Sequence, residues 1–219
     1  MLPFLDTANL DEIKNGLSGG WVRGITTNPT LMAKEPKSNF LGHIQKIADL
    51  CVAAKQEVPL SVEVFAEKPE EMLKQAREFA RGIRYHSIVI KIPLFWETLP
   101  VIAQLTRDGI KTNVTVGFNA AQGVMAAVAG ATYYSLFFHR IKDTGTDAVE
   151  TVRQTKQLIA GAGTLIICGS IRSVEDVIEA SLAGSDVVTA PLKVWQEMAT
   201  HAKSLEWNNK FLQDFKAWI

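Results

Sequence analysis

The stretch that decides the fold is SIVIKIP, residues 87–93, an apolar run of strand length that carries a single lysine. Successive side chains of a β-strand point to opposite faces, so the three isoleucines share one face and Lys91 shares the other with Ser87 and Val89. Isoleucines on one face are expected to lie beneath the helices that cover a parallel sheet. Lys91 is then expected on the opposite face, near the carboxyl end of the strand.

Seven other β-rich runs flank this stretch and alternate with amphipathic helical segments, the pattern of parallel strands joined by crossover helices. In chain order the eight runs are PFLDT from Pro3, GITTN from Gly24, LSVEVF from Leu60, SIVIKIP from Ser87, TNVTVGF from Thr112, YYSLFF from Tyr133, TLIICGS from Thr164 and VVTAP from Val187. Eight strands predict an α/β fold closed into a single (β/α)₈ barrel. An open doubly wound sheet would show the same alternation.

The positions of polar residues within the strands favour the barrel. The inward-facing sets are Asp6 with Phe4, Thr26 with Asn28, Ser61 and Glu63 with Phe65, Asn113 with Thr115, and Ser135 with Phe137. With Lys91, six strands send polar groups towards one central region, at the end where this architecture places its chemistry. Each residue alone has a structural explanation, such as an ion pair of Lys91 with Glu63 or Asp6. The whole set favours a catalytic site, because an ion pair needs neither asparagines nor a threonine beside it.

Helix signals fill the intervals between the strands. EKPEEMLKQAREFARGI, residues 67–83, begins with acids and a proline and ends with arginines and a glycine. SVEDVIEASLAG, residues 173–184, likewise begins with acidic residues and ends with a glycine. The last segment, SLEWNNKFLQDFKAWI, residues 204–219, predicts a terminal amphipathic helix. Its aromatic residues share one side: Trp207, Phe211, Phe215 and Trp218. We expect that helix to pack on the barrel or on a neighbouring subunit.

Composition limits the class of protein. The chain has 219 residues, 47% of them hydrophobic and 21% charged, so one packed domain over residues 1–219 is expected, smaller than the usual barrel of roughly 250 residues. Basic and acidic side chains balance at 23 each, which leaves no overall field to attract nucleic acid or an anionic membrane. Neither partner is expected, and any anion site must be local.

Cysteine usage and the first residues indicate the compartment. The two cysteines, Cys51 and Cys168, have no metal-type spacing and are too few for a disulfide framework. Asp6 interrupts the first apolar stretch too early for a signal peptide, and no later run reaches membrane-spanning length. We therefore expect a cytoplasmic protein without a metal.

The inward-facing polar set suits chemistry on a carbonyl carbon. A desolvated lysine can attack a ketone and form an imine, which then accepts electrons from a breaking carbon–carbon bond. Asp6 is the expected base at the cleaved bond, and Glu63 is expected to pass protons through a water held by Thr115. The hydroxyls of the retained three-carbon piece would be held by three polar side chains: Asn28, Asn113 and Ser135.

Two late segments could bind an anion such as a sugar phosphate. HRI places Arg140 just after a strand, and CGSIR carries Ser170 and Arg172. The planar fork of arginine suits phosphate oxygens, and barrels often bind phosphate on the loops after their later strands. Either arginine could instead be an ordinary surface charge.

Taken together, these residues resemble the transaldolase family, specifically its short members, which include the fructose-6-phosphate aldolases. The resemblance runs nearly end to end and rests on FLDTAN, GITTNPTL, SVEV, IVIKIP, NVTVGFNAAQG, SLFFHRI and GSIR. It implies the following roles: Lys91 as the Schiff-base lysine, Asp6 as the acid/base, Glu63 with Thr115 at the catalytic water, Asn28, Asn113 and Ser135 at the dihydroxyacetone unit, and Arg140, Ser170 and Arg172 at the phosphate. It also implies a homo-oligomer, a pentamer or decamer, and a place in the pentose phosphate pathway, with no cofactor.

Two positions bear on the reaction. Fructose-6-phosphate aldolases typically carry glutamine in place of Glu63 and tyrosine in place of Phe137, so the resemblance favours group transfer by a transaldolase over release of free dihydroxyacetone. Gly117, Phe138 and His139 depart from the usual residues and bear on the acceptor pocket. The alternatives are a fructose-6-phosphate aldolase and a catalytically silent sugar-phosphate-binding barrel.

Overall fold

Eight parallel strands close into a barrel in the computed structural model, which describes residues 1–56 and 58–219. The strands are β1 (Leu2–Asp6), β2 (Ile25–Thr26), β3 (Leu60–Glu63), β4 (Ile88–Pro93), β5 (Thr112–Gly117), β6 (Tyr133–Phe137), β7 (Leu165–Gly169) and β8 (Val187–Ala190). Each strand pairs with the next, and β8 pairs with β1 to complete the ring. Every strand falls on one of the eight predicted runs, so the barrel prediction is confirmed.

Helices occupy the intervals between the strands. They are α1 (Leu10–Ser18), α2 (Pro29–Met32), α3 (Phe40–Ala53), α4 (Pro69–Gly82), a 3₁₀ turn (Trp96–Thr98), α5 (Leu99–Arg107), α6 (Ala120–Val128), α7 (Phe138–Asp143), α8 (Ala148–Leu158), α9 (Val174–Leu182), α10 (Leu192–Met198) and α11 (Ala202–Trp218). The two helices predicted from their terminal residues are α4 and α9. None of the helices in the described part of the chain is long and apolar enough to cross a membrane.

Short polar side chains mark where many of these helices begin. Six of them accept a backbone N–H from the first helical turn: Asn9, Asn28, Asn39, Asn119, Asp147 and Ser173. Such caps satisfy N–H groups that have no partner within the helix. The first turns of the helices after β2, β5 and β7 are thereby fixed close to the carboxyl ends of those strands.

Apolar residues pack on both sides of the sheet. The main core lies between the strands and the helices and contains the three isoleucines of β4, as their alternation predicts. A separate cluster of Phe4, Ile167 and Val187, with Tyr133 against it, fills the barrel interior near the amino ends of the strands. The floor of the barrel is therefore apolar, and polar side chains occupy its carboxyl end.

Phe65 does not lie in the interior, where strand alternation predicts it. β3 ends at Glu63, so the alternation stops before residue 65 is reached. The Phe65 ring is 56% exposed and lies against Phe40 and Phe79, on α3 and α4, at centroid distances of 5.2 and 5.8 Å. It belongs to the helical layer outside the barrel.

The predicted terminal helix is present as α11, but it does not bury its aromatic side. Every residue of α11 is exposed. Trp207 contacts Phe211 and Phe215 contacts Trp218, at centroid distances of 5.8 and 5.7 Å, so the aromatic residues pack mainly on one another. The expectation that α11 packs on the chain's own barrel is therefore wrong. Packing on a neighbouring subunit stays a prediction.

Candidate active site

A polar cavity of about 390 Å³ opens at the carboxyl ends of the strands. Its lining includes every site residue expected from the sequence except Asn113: Asp6, Asn28, Glu63, Lys91, Thr115, Ser135, Phe137, Arg140, Ser170 and Arg172. Side chains that are far apart in the chain meet here because parallel strands bring their carboxyl ends to one edge. The cavity is within the size range of small-ligand sites.

Lys91 lies at the base of this cavity and is only 6% exposed. Its Nζ lies 3.0 Å from Glu63 Oε2 and donates a hydrogen bond of 2.9 Å to the Thr27 carbonyl oxygen. The pairing follows from the sheet, in which Glu63 on β3 is the register partner of Lys91 on β4. A buried ammonium with a carboxylate at this distance has a proton acceptor within direct reach.

Asp6 is held by a chain of two threonines. Thr26 Oγ1 donates to Asp6 Oδ1 at 2.6 Å and lies 2.6 Å from Thr189 Oγ1. Because the Thr26 proton is committed to the carboxylate, Thr189 must donate to Thr26. Burial raises the pKa of Asp6 above its ordinary value, although the positive charge of Lys91 and the Thr26 hydrogen bond oppose that rise.

Sequence reasoning assigned no role to Thr189. A signal was present, because Thr189 is two residues from Val187 in the run VVTAP and so shares its inward face. Its partner Thr26 was expected to face inward but without a function. The hydrogen bond between strands β2 and β8 cannot be read from either strand alone.

A second polar chain supports Ser135. Ser135 Oγ donates to Asn113 Oδ1 at 2.7 Å, and Asn113 Nδ2 donates to Ser61 Oγ at 3.3 Å. Asn113 is fully buried and lies outside the cavity lining, so it reaches the cavity only through Ser135. Of the three side chains expected to hold the retained carbon unit, Asn28 and Ser135 face the cavity directly.

Asn28 has two uses for its side chain. Its oxygen accepts a 3.0 Å hydrogen bond from the Leu31 backbone N–H and so caps α2. Within residues 1–56 and 58–219 the amide nitrogen has no hydrogen-bond partner, and the residue lines the cavity. An amide nitrogen can donate to a substrate hydroxyl or carbonyl oxygen.

Thr115 presents a hydroxyl with unused hydrogen-bonding capacity. Its Oγ1 is buried without a hydrogen-bond partner among the residues that the structure describes, and the residue lines the cavity. A buried hydroxyl in this state costs free energy unless a ligand or a water meets it. The Thr115 hydroxyl is therefore suited to bind a ligand or a water.

The backbone beyond Thr115 is irregular. The pairing of β5 with β6 shifts register between Val114 and Gly117, and Val116 has a left-handed φ of 62°. A β-branched residue rarely adopts that conformation. The bulge turns Val116 to the cavity as well as Thr115, so consecutive residues line one site.

The three residues expected to bind an anion lie together along the cavity lining. The guanidinium of Arg140 lies over the Phe137 ring, 4.9 Å from its centroid. Ser170 follows β7 with a φ of 58°, and Arg172 donates to both carboxylate oxygens of Asp143 at 2.6 and 3.3 Å. Two arginines and one serine thus line the same cavity.

Comparison with known proteins gives independent evidence on the family of this chain. The sequence matches the family described as Transaldolase/Fructose-6-phosphate aldolase over residues 3–218. It is 41% identical over 217 residues to "Probable transaldolase" of Roseiflexus castenholzii, covering 98% of this chain and 97% of the relative. A protein of the same name from Caldicellulosiruptor saccharolyticus is 40% identical over 216 residues, covering 97% and 96%.

Solved structures agree on the architecture. Deoxyribose phosphate aldolase from Aeropyrum pernix superposes with a TM-score of 0.63 over 91% of this chain and 90% of that chain. The sequences are 14% identical, so this likeness concerns the fold alone.

Proposed function

The chain belongs to the transaldolase/fructose-6-phosphate aldolase family, and from that premise we propose that it is a transaldolase acting through a Schiff base on Lys91. It moves a dihydroxyacetone unit from fructose 6-phosphate or sedoheptulose 7-phosphate to erythrose 4-phosphate or glyceraldehyde 3-phosphate, in the pentose phosphate pathway. The observation that carries the proposal is the buried Lys91 at the base of the cavity, 3.0 Å from Glu63.

Imine formation begins with a proton moving from the Lys91 ammonium to Glu63. The neutral amine attacks the ketone carbon of the sugar, and the carbinolamine then loses water. Glu63 returns the proton to the departing hydroxyl through a water that the Thr115 hydroxyl holds. The unpartnered Thr115 Oγ1 at the cavity supports that assignment.

Cleavage requires a base at the hydroxyl next to the breaking bond. Asp6 removes that proton, the bond between the third and fourth carbons breaks, and its electrons flow into the protonated imine to give an enamine. The raised pKa of Asp6 supports this role, because the same group must later return a proton to the new hydroxyl. Thr26 and Thr189 keep one carboxylate oxygen occupied, which leaves the other for the substrate.

Phe137 supports transfer rather than simple cleavage. Its ring lines the cavity, with Phe118 at a centroid distance of 5.9 Å, and offers no hydroxyl to activate a water. The enamine on Lys91 therefore waits for an aldehyde acceptor. Arg140, Ser170 and Arg172 bind the phosphate of either sugar, because two guanidinium forks suit its oxygens.

Acceptor dependence tests the reaction type. Fructose 6-phosphate alone should release glyceraldehyde 3-phosphate only to about one equivalent of protein, as expected when a covalent intermediate accumulates. Adding erythrose 4-phosphate should start steady turnover and yield sedoheptulose 7-phosphate. Continuous release of free dihydroxyacetone without an acceptor would instead identify a fructose-6-phosphate aldolase.

We also propose that the protein is a cytoplasmic homo-oligomer, a pentamer or a decamer, with α11 in the contact between subunits. The support is the exposed aromatic side of α11, where Trp207, Phe211, Phe215 and Trp218 are between 51% and 80% exposed. Contiguous exposed aromatic surface of this kind is typical of protein contacts.

A further inference from the structure

A buried carboxylate outside the cavity joins the two segments that carry its arginines. Asp176, on α9, is 1% exposed. Its Oδ2 lies 2.7 Å from His139 Nδ1 and accepts a 2.9 Å hydrogen bond from the Arg172 backbone N–H. Its Oδ1 accepts a 2.9 Å hydrogen bond from Lys142 Nζ.

These partners lie on two separate segments. His139 and Lys142 flank Arg140 on α7, whereas Arg172 is in the loop between β7 and α9. Asp176 itself is not part of the cavity lining. Its hydrogen bonds therefore hold the backbones that carry Arg140 and Arg172 at a fixed separation, without touching a ligand.

A second acidic residue acts on the Arg172 side chain. Asp143, at the end of α7, pairs with the Arg172 guanidinium at 2.6 Å, and its Oδ1 lies 3.7 Å from His139 Nε2. The His139 ring thus lies between the carboxylate that fixes the Arg172 backbone and the carboxylate that orients the Arg172 guanidinium. The Asp143–Arg172 contact crosses from α7 to the β7–α9 loop, whereas the Asp143–His139 contact lies within α7.

We propose that Asp176 is a positioning residue that sets the spacing between Arg140 and Arg172 and thereby the preference for phosphorylated over unphosphorylated sugars. The proposal rests on the transaldolase function and deepens it. A phosphate bound by two guanidinium groups depends on their separation, whereas an aldehyde without phosphate depends on the groups around Lys91.

The test compares Asp176→Asn with Asp186→Asn. Asp186 is a matched control, because it also accepts a backbone N–H, that of Ile166, and pairs with a lysine, Lys156, but at the amino end of the barrel. Steady-state rates are measured with saturating fructose 6-phosphate and with either erythrose 4-phosphate or erythrose as acceptor. In a ping-pong reaction, kcat/KM for the acceptor reports only the second half-reaction.

The ratio of the two kcat/KM values is the decisive quantity. Asp176→Asn should lower the ratio about tenfold, mainly through KM for erythrose 4-phosphate, which is the scale of one lost hydrogen bond to a charged group. Asp186→Asn should leave the ratio unchanged. An unchanged ratio in Asp176→Asn, with both acceptors equally impaired, would overturn the proposal and leave Asp176 a role in stability only.

Two further measurements keep the outcome decisive. If Asp176→Asn does not fold by circular dichroism, His139→Ala removes one of its links, and an unchanged ratio in that variant overturns the proposal. Calorimetric titration with inorganic phosphate separates this proposal from the function beneath it. If the wild-type protein shows no transfer activity, the proposed transaldolase function is refuted. If Asp176→Asn binds phosphate more weakly than Asp186→Asn, the positioning role of Asp176 is supported whether or not transfer occurs.

Discussion

Lys91 and Asp6 are both charged groups in a cavity, but the protein holds them differently. Lys91 Nζ lies 3.0 Å from Glu63 Oε2 and donates a hydrogen bond to the Thr27 carbonyl oxygen, so a charged partner and a backbone acceptor both contact it. Asp6 has one short hydrogen bond from Thr26, and burial outweighs it in setting the direction of its pKa. The ionised Asp6 therefore costs folding free energy, as is common for groups kept for function.

Asp6→Asn should separate activity from stability. Loss of the base should lower kcat by about 10²–10⁴-fold, the usual contribution of a positioned acid or base. A carboxyl whose pKa is raised by folding binds its proton more tightly in the folded than in the unfolded protein, so stability falls as pH rises through that interval. The variant should thus resist urea better than the parent at neutral pH.

The pH dependence provides the check on that interpretation. The gain in stability should shrink as pH falls, and disappear below the unfolded-state pKa of Asp6, where both forms of the residue are neutral. The acidic limb of kcat/KM for the donor should lie above the ordinary aspartate range in the parent. An Asp6→Asn variant that is less stable than the parent at neutral pH would show that the carboxylate is a net stabilising group.

Most individual site residues could be predicted from the sequence, because alternation in a parallel strand fixes which side chains point inward. Lys91, Glu63 and Asp6 all follow from that rule. The rule gives the direction of a side chain but not its depth, so it could not show that Asn113 is fully buried and accepts a hydrogen bond from Ser135; its role at the substrate stays a prediction. Contacts between distant segments, such as Asp176 with Arg172, have no signal in strand periodicity.

At the scale of single elements, β5 departs most from regular geometry. Its register shift and the left-handed φ of Val116 bring two consecutive residues to the cavity. Alternation predicts Thr115 inward and Val116 outward, so the sequence could not predict this bulge. The Tyr134 ring occupies the space beside Gly117, where a Cβ atom would lie 2.6 Å from its carbons.

Gly117→Ala tests how tightly this bulge is packed. The added methyl group would overlap the Tyr134 ring, which is fully buried and cannot move without breaking its hydrogen bond to the Asn119 carbonyl. We expect a loss of about 1–3 kcal/mol in the free energy of unfolding, typical of overpacking. Chemical denaturation of the purified variant measures it.

A double-mutant cycle identifies the cause of that loss. In a Tyr134→Leu background the same Gly117→Ala change should cost much less, because the smaller side chain leaves room for the methyl group. Equal costs in both backgrounds would mean that the backbone conformation at Gly117, rather than the Tyr134 ring, forbids alanine.

At the scale of the whole molecule, the barrel could be predicted because eight strand signals alternate with helix signals and converge on one polar end. The environment of α11 could not be predicted in full. An amphipathic pattern indicates that one side is buried in the working protein, but it does not identify the partner. In the protomer that side is exposed, which leaves another copy of the chain as the expected partner.

Charge on the aromatic side of α11 should disrupt the oligomer. We expect the double variant Phe211→Glu and Phe215→Glu to elute as a smaller species in size-exclusion chromatography with light scattering, while circular dichroism stays that of a folded barrel. Both residues are more than half exposed in the protomer, so their replacement should cost it little. Asn209→Glu and Gln213→Glu, on the opposite side of the same helix, are the matched control and should leave the assembly intact. A parent protein that is already monomeric would refute the predicted assembly.

The most direct test of the central claim is reductive trapping of the imine. The protein is incubated with fructose 6-phosphate, treated with borohydride, digested and mapped by peptide mass spectrometry, with Lys91→Ala as the control. We predict a reduced sugar or three-carbon adduct on Lys91 of the parent and none on the variant. An unmodified Lys91, or an adduct on another lysine, would contradict Schiff-base chemistry at this site.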